Sequence, residues 1–203
     1  MRINKVILLL VIPLMVELMV ACCFCFPTMS FNYSNCSLEI QNLDNRGEKA
    51  IVSESNSFSK QAFGIRVLIQ RERNACTVIG NNSIFFKSAY ASSCECPPTR
   101  QYLPLDNISS IKIFSKRDFD SEHFGNSEIS NYFSIFTGND FFQIEEYLNN
   151  TETTLYDFGN PWLEFDLLLM SPPTIGTEHQ FSLEIELTDG RILDAQTETL
   201  ELN

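Results

Sequence analysis

The sequence predicts a mainly β fold, a two-sheet antiparallel sandwich, and three observations predict it. Alternating apolar and polar residues recur along the chain, most clearly from Phe63 to Arg71, where Phe63, Ile65, Val67 and Ile69 fall on one face and Arg66 and Gln70 on the other. Turn-forming clusters separate such runs, as at Gly80-Asn81-Asn82 and Cys94-Glu95-Cys96-Pro97-Pro98, whose prolines exclude a central strand. Near the end, Asp189-Gly190 stands between two alternating runs, the strongest short-range sign of a hairpin. About seven or more strands with few helices make a sandwich, and an immunoglobulin-like topology is one form of it. The Cys, Trp, Cys spacing of true immunoglobulin domains is absent.

The chain opens on a leader. Arg2 and Lys5 give a positive start, Val6 to Val16 an apolar stretch, and Ala21 the small residue that a signal peptidase requires, so residues 1–21 read as a signal peptide. Cys22 follows directly, and Met19-Val20-Ala21-Cys22 resembles the lipobox of bacterial lipoproteins, although Met19 stands where that pattern prefers Leu. The resemblance implies a diacylglyceryl thioether on Cys22, which becomes the mature N-terminus. The competing reading is an uncleaved membrane helix from Val6 to Phe26. Pro13 and Glu17 count against it, since a mid-membrane carboxylate costs about 2.5–3.5 kcal/mol with nothing nearby to pair it. Acyl chains on one cysteine contribute about 0.8 kcal/mol per buried methylene, which anchors a protein without any spanning segment. Bacterial lipoproteins of the Bacteroidetes type that this leader resembles carry an acidic run after the cysteine when exported to the outer face; none follows Cys22, so the resemblance implies a periplasm-facing protein on the outer membrane.

Residues 22–36 read as a tether and 37–203 as a single β-rich domain. Ser37 to Asn42 is the first alternating run, Glu48 to Lys60 a weak strand and loop, and Phe63 to Arg71 the first strong strand. Thr77 to Ile79, Ser83 to Tyr90 and Ile108 to Phe114 continue the pattern. Near residues 126–150 the spacing predicts a short helical insertion, with Ser127 capping a turn through Ile129 and Phe133, and Asn139 capping Asp140 to Asn149. Trp162 to Met170, Gln180 to Leu187 and Arg191 to Leu202 return to strand.

The bulk numbers exclude some functions. The whole chain carries a net charge of −12; losing Arg2, Lys5 and Glu17 with the leader leaves 12 basic and 25 acidic residues, a net of −13. Nucleic-acid binding gains its affinity from clustered Lys and Arg, which this chain lacks. With Cys22 assigned to lipid, six of the seven cysteines remain, an even number suited to an oxidising compartment. Cys76 with Cys94 or Cys96 is the preferred pair, because these flank a hairpin and CxC neighbours point to opposite faces of a strand. A zinc site at Cys76, Cys94 and Cys96 is the weaker reading, as it lacks a fourth ligand and a nearby histidine.

Asp118, Asp120 and Glu122 alternate in a predicted loop and form a candidate calcium-ligand set, although His123 stands where an EF-hand loop has glycine. His123 and His179 are the only histidines, and no nucleophile elbow accompanies either, so no catalytic residue, cofactor or metal is assigned. Glu145 and Glu146 are adjacent on a predicted helix and do not face each other as a glycosidase pair must. Tyr102, Tyr132, Tyr147, Tyr156 and Trp162 are the aromatics on which a sugar or partner would stack if exposed.

The lipobox, Cys94-Glu95-Cys96, the stretch Ile111-Lys112-Ile113-Phe114 leading to Asp118-Phe119-Asp120, the run Glu128 to Phe133 and the terminal hairpin look like a family of uncharacterised Bacteroidetes lipoproteins of about this length. That resemblance covers most of the chain and implies location, with no catalytic signature. The expectation is a lipid-anchored envelope lipoprotein with a non-enzymatic structural or protein-interaction domain. Its partners would be the membrane, through the lipid on Cys22, and an envelope protein or glycan. A glycan- or ion-binding lipoprotein acting through the loops around Asp118 to Phe142 is the alternative.

Overall fold

The computed structural model describes residues 29–73, 100–138, 140–150 and 161–203. The chain divides into two compact units, residues 1–31 with 77–101 and residues 32–76 with 102–203, and nearly all described residues belong to the second.

One sheet of this structure holds β1 (Met29–Asp44), β2 (Ile51–Val52), β4 (Phe63–Arg73), β8 (Phe133–Phe136), β9 (Phe141–Phe142) and β10 (Trp162–Leu169) in the order β2-β1-β4-β10-β8-β9, with β5 (Arg100–Pro104) also paired to β1. A second holds β6 (Ile108–Ser115), β7 (Ser127–Glu128), β12 (Phe181–Leu187) and β13 (Ile192–Gln196) in the order β13-β12-β6-β7. A third, small sheet places β14 (Leu200–Leu202) between β11 (Glu178–His179) and β3 (Ser57–Phe58). The described fold is mainly β and antiparallel, with β14 and β3 forming a parallel pair.

Period-two alternation decides which side chains meet. Ile65, Val67 and Ile69 of β4 lie opposite Leu167, Phe165 and Leu163 of β10, and all face one core. Ile111 and Ile113 of β6 pair with Ile185 and Leu183 of β12, and these join the same core. The two larger sheets therefore bury one face each against a shared apolar layer, the arrangement of a sandwich. Leu200 and Leu202 of β14 are buried in it too, and the Lys60 amide donates to the Asn203 carbonyl at 2.9 Å.

Gly64 interrupts the other face of β4 for a steric reason. A Cβ there would stand 2.6 Å from Leu168 Cδ2, 3.0 Å from the Leu167 carbonyl oxygen and 3.4 Å from Leu43 Cβ. The backbone oxygen cannot swing away as a side-chain end can. Gly64→Val is therefore expected to destabilise the domain by about 1–3 kcal/mol through overpacking, read as a lower urea midpoint.

Three boundaries differ from the sequence reading. Strand β1 begins at Met29, so residues 29–36 are strand where a tether was expected; Tyr33, Ser34 and Asn35 are buried there, and β4 pairs with them as far as Arg73. Residues 126–150 contain one short helix, α1 (Ile144–Asn150), and a 3-10 turn at Ser130–Tyr132, but they also supply β7, β8 and β9. Ser127 lies in β7 instead of capping a helix, and Phe141 pairs with Phe136 in β9. Finally, the run from Arg191 to Leu202 splits: β13 stays beside β12, while β14 crosses to the small sheet. Thr197 marks the break, its hydroxyl accepting from the Phe181 amide at 3.0 Å.

The expected hairpin at Asp189-Gly190 is present, with Gly190 at φ +87° and the Leu187 amide donating to the Arg191 carbonyl at 2.9 Å. Its arginine closes a buried polar knot. Asp106 accepts from the Asn35 amide at 3.0 Å, from Asn35 Nδ2 at 2.7 Å, from Arg191 Nη2 at 2.7 Å and from the Ser34 hydroxyl. The knot joins β1, the approach to β6 and the β12–β13 turn at one end of the sandwich, the end at which the chain enters the second unit. The opposite end is built from the loops that follow β6 and β10.

Candidate functional site

The loop after β6 carries Asp118, Asp120 and Glu122, and the structure turns two of these carboxylates inward to fold it. Asp118 Oδ1 accepts from the Gly125 amide at 2.8 Å. Asp120 Oδ1 accepts from the amides of Glu122 and His123, each at 2.8 Å, and from His123 Nδ1 at 2.9 Å. Its other oxygen accepts from the Tyr132 hydroxyl at 2.7 Å. Glu122 is exposed and adds only its backbone. The three side chains thus do not converge on a common point, and among the described residues no group of three or more His, Cys, Asp or Glu is placed to hold a metal ion.

These donors fix the electrostatics. The Tyr132 hydroxyl, with the two backbone amides and His123, holds the Asp120 carboxyl well below the usual carboxylate range, while the Asp120 carboxylate raises the Tyr132 phenol. The short contact between His123 Nδ1 and that carboxylate fixes the orientation of the imidazole ring. The Asp–His–Tyr arrangement therefore resembles an oriented general base. The Tyr132 hydroxyl also lies 3.3 Å from His123 Nδ1, and no serine, threonine or cysteine side chain is hydrogen-bonded to the ring among the described residues. Tyr132→Phe removes the first of the donors to Asp120, so the Asp120 carboxyl titration is expected to move up towards the ordinary range, as read by carbon NMR of the labelled side chain.

Phe119 anchors the loop from below. Its ring is fully buried, edge-on to Tyr132 with centroids 5.0 Å apart, and its carbonyl accepts from the Thr174 amide at 2.9 Å and the Ile175 amide at 3.3 Å. The loop after β10 is thereby tied to the loop after β6. The Met170 amide adds a 2.8 Å bond to the Tyr132 carbonyl. On this braced backbone Phe124 is 60% exposed and Met170 56% exposed, and Ile175 is exposed as well. Beneath them His179 is wholly buried, its ring stacked on Phe181 and edge-on to Phe119, each 6.1 Å away between centroids. Neither of its ring nitrogens has a partner in hydrogen-bond geometry.

The remaining predicted residues scatter. Cys22, Cys76, Cys94, Cys96 and Tyr156 lie outside the described residues. Cys36, on β1, is disulfide-bonded. Tyr102 is buried and Trp162, Tyr132 and Tyr147 are half-buried, which makes packing residues of most of the aromatics singled out for stacking. Glu145 and Glu146 are exposed on α1. Sequence reasoning passed over Phe119, Phe124, Met170 and Ile175 as site residues. The one local signal was a phenylalanine flanked by two aspartates, which fits a buried ring carried by a loop whose polar neighbours fold back on themselves.

A family model described as a domain of unknown function (DUF5034) matches residues 35–198. No curated protein and no solved structure matches the chain.

Proposed function

The chain belongs to the DUF5034 family, and we propose that it is a lipid-anchored bacterial envelope lipoprotein whose domain serves protein contacts or structural support without catalysis. The observation that carries the contact role is the exposure of Phe124, Met170 and Ile175 on two loops locked to each other through Phe119. Apolar side chains held rigidly in water lose little conformational entropy when a partner covers them, which is how preorganised contact surfaces gain affinity. The acidic residues beside them support the same reading, because Asp118 and Asp120 already spend oxygens on the loop's own donors. The anchor rests on Ala21-Cys22 behind a leader, and Cys36 in a disulfide suits an oxidising compartment. Among the described residues no helix is long and apolar enough to cross a membrane.

A glycan-binding reading has one observation in its favour. Phe141 is exposed and packs against Phe136 with ring centroids 4.9 Å apart, giving an aromatic surface at the sheet edge. The tilt of 39° between the rings leaves no common plane for a sugar to stack on, so the protein-contact reading stands first.

Two experiments test the proposal. Metabolic labelling with palmitate is expected to mark the wild-type chain and to vanish in Cys22→Ala; an unlabelled wild type removes the anchor. Photo-crosslinking from position 124 in envelope preparations is expected to trap a protein, and the Phe124→Ser background with the crosslinker at position 192 is expected not to trap it. Equal trapping from both positions counts against a contact surface at the loops.

A further inference from the structure

The four-stranded sheet ends on an open edge. β13 (Ile192–Gln196) is its first strand and pairs only with β12 among the described residues. The Leu187 amide donates to the Arg191 carbonyl and the Thr197 amide to the Phe181 carbonyl, each at 2.9 Å, which fixes the phase of that ladder. Hydrogen-bonded and non-hydrogen-bonded pairs alternate along antiparallel strands, so Leu193 and Ala195 turn their backbone groups towards β12 while Ile192, Asp194 and Gln196 turn theirs outward. These three residues are exposed, and among the described residues no backbone hydrogen bond reaches their outward amides and carbonyls. Open edges recruit further strands, and sheets commonly keep them short for that reason. β2, β9, β7, β11 and β3, which occupy the other ends of the sheet orders, have two residues each. β13 has five, with no proline, glycine or bulge to blunt it.

We infer that β13 is a strand-addition site for an extended segment of a partner protein, and that this segment brings a lysine or arginine to Asp194. Main-chain hydrogen bonds to Ile192, Asp194 and Gln196 supply the affinity, and the side chains at alternate positions of the segment supply the selectivity. The contact is separate from that of the loops after β6 and β10, and it does not depend on a lipid at Cys22.

Charge selects the occupant. On the outer face of the sheet Asp194 stands opposite Glu184 in a non-hydrogen-bonded pair, the kind that brings side chains closest, with Cβ atoms about 4.5–5.5 Å apart. Glu186 stands opposite Ile192. None of these three carboxylates forms an ion pair among the described residues. Lys112 faces Glu184 from β6, on the side away from β13. At the hairpin Arg191 is committed to Asp189 and Asp106, and beyond Gln196 the exposed Glu198 adds another carboxylate. Like charges therefore stand side by side along this edge, an arrangement that costs stability until a cation arrives beside Asp194. A second copy of the chain brings none. In the antiparallel register that uses all three outward residues, Asp194 meets its own counterpart, and the net charge of −12 on each chain opposes the approach. Ile192, 59% exposed and two positions from Asp194, gives the incoming segment an apolar side chain to cover.

Amide hydrogen exchange of the full mature chain carrying Cys22→Ala, followed by nitrogen NMR, tests this. In the free protein the amides of Ile192, Asp194 and Gln196 are expected to exchange about tenfold faster than those of Leu193 and Ala195. The peptide Ser-Thr-Val-Lys-Val-Thr-Ser is expected to slow the three outward amides severalfold, and the same peptide with Glu in place of Lys to leave them unchanged. Asp194→Lys should reverse that preference. Gln196→Pro removes one outward amide and no hydrogen bond to β12, so with an unchanged thermal midpoint it should weaken the protection of Ile192 and Asp194 by the lysine peptide. Exchange slowed by neither peptide, or slowed equally by both, overturns the assignment. So does protection in the free protein that grows with protein concentration, which makes the edge a contact between two copies of the chain.

Discussion

Asp106→Ala is expected to cost about 3–5 kcal/mol of folding free energy, the range for breaking a buried ion pair from one side. The side chain is 1% exposed and holds four donors from three residues in two parts of the chain: Ser34, Asn35 twice and Arg191. Alanine removes the carboxylate from all four, although Asn35 Nδ2 keeps the Asp106 backbone carbonyl at 3.2 Å. The buried Asn35 amide loses its acceptor, while the Arg191 guanidinium retains Asp189 at 2.7 Å, the Asn35 carbonyl at 2.9 Å and the Ser34 hydroxyl at 3.0 Å. Since small domains carry about 5–15 kcal/mol in total, the variant should sit near the edge of folding. Arg191→Met should cost less, about 1.5–3 kcal/mol for one hydrogen bond to a charged group, because Asp106 then retains Ser34 and Asn35. The double variant should cost less than the two singles together, as neighbours in one network do. Urea unfolding of the four proteins gives the cycle; a loss below about 1 kcal/mol for Asp106→Ala means that water replaces the carboxylate and the knot holds little.

The contrast between this knot and the strands around it explains what was legible in the sequence. Phe63 to Arg71 and Phe181 to Leu187 are found where their alternation puts them, because a two-residue period with one apolar face has a single way to bury itself. The DG turn is equally local, since Gly190 needs a positive φ that few other residues accept. Asp106 has no such local signature: its partners lie 71, 72 and 85 residues away, and only tertiary contact selects them.

The same distinction holds at the candidate site. The alternating Asp118, Asp120 and Glu122 were readable as a cluster, but spacing alone does not say whether carboxylates point at a shared ion or back at their own loop. Tyr132, 12 residues on, decides that for Asp120 by donating to it. The region 126–150 misled for a related reason. Ile129 and Phe133 are apolar at helical spacing, yet Phe133 and Ile135 are drawn into β8 by the open edge of β10, where Leu169 and Leu167 face them, whereas Ile144 does open a helix. Pairing with a preformed strand outweighs a weak local preference for helix.

Acidification should weaken the protein through His179. The imidazole is wholly buried between Phe119 and Phe181 with neither nitrogen in good hydrogen-bond geometry, and burial pushes its pKa below the ordinary histidine value, an effect only partly offset by a weak interaction with the Gly176 backbone. The unfolded chain therefore binds a proton at a pH where the folded one does not. It follows that stability is full above the unfolded pKa of about 6.5 and falls as pH drops below it, by at most about 1.4 kcal/mol per pH unit for one group. Below the folded pKa the loss levels off. Few charges adjoin the ring. Across β14 its cross-strand neighbour is Leu200, with Glu201 exposed; on β11, Glu178 is exposed; on β12 it meets Phe181; and the Phe119 loop brings Asp120, whose carboxylate is already claimed by Tyr132 and His123. Asp120 itself, held below the usual carboxylate range, contributes stability that persists above that range and is lost only at lower pH, so it does not enter this window. His179→Phe keeps the stack on Phe181 and removes two buried nitrogens that lack well-formed hydrogen bonds. Its unfolding free energy, measured by urea between about pH 5 and 7.5, should be higher than wild type at the acid end and nearly flat between about pH 5 and 6.5. A wild-type slope that survives the substitution unchanged assigns the pH dependence to a group other than His179.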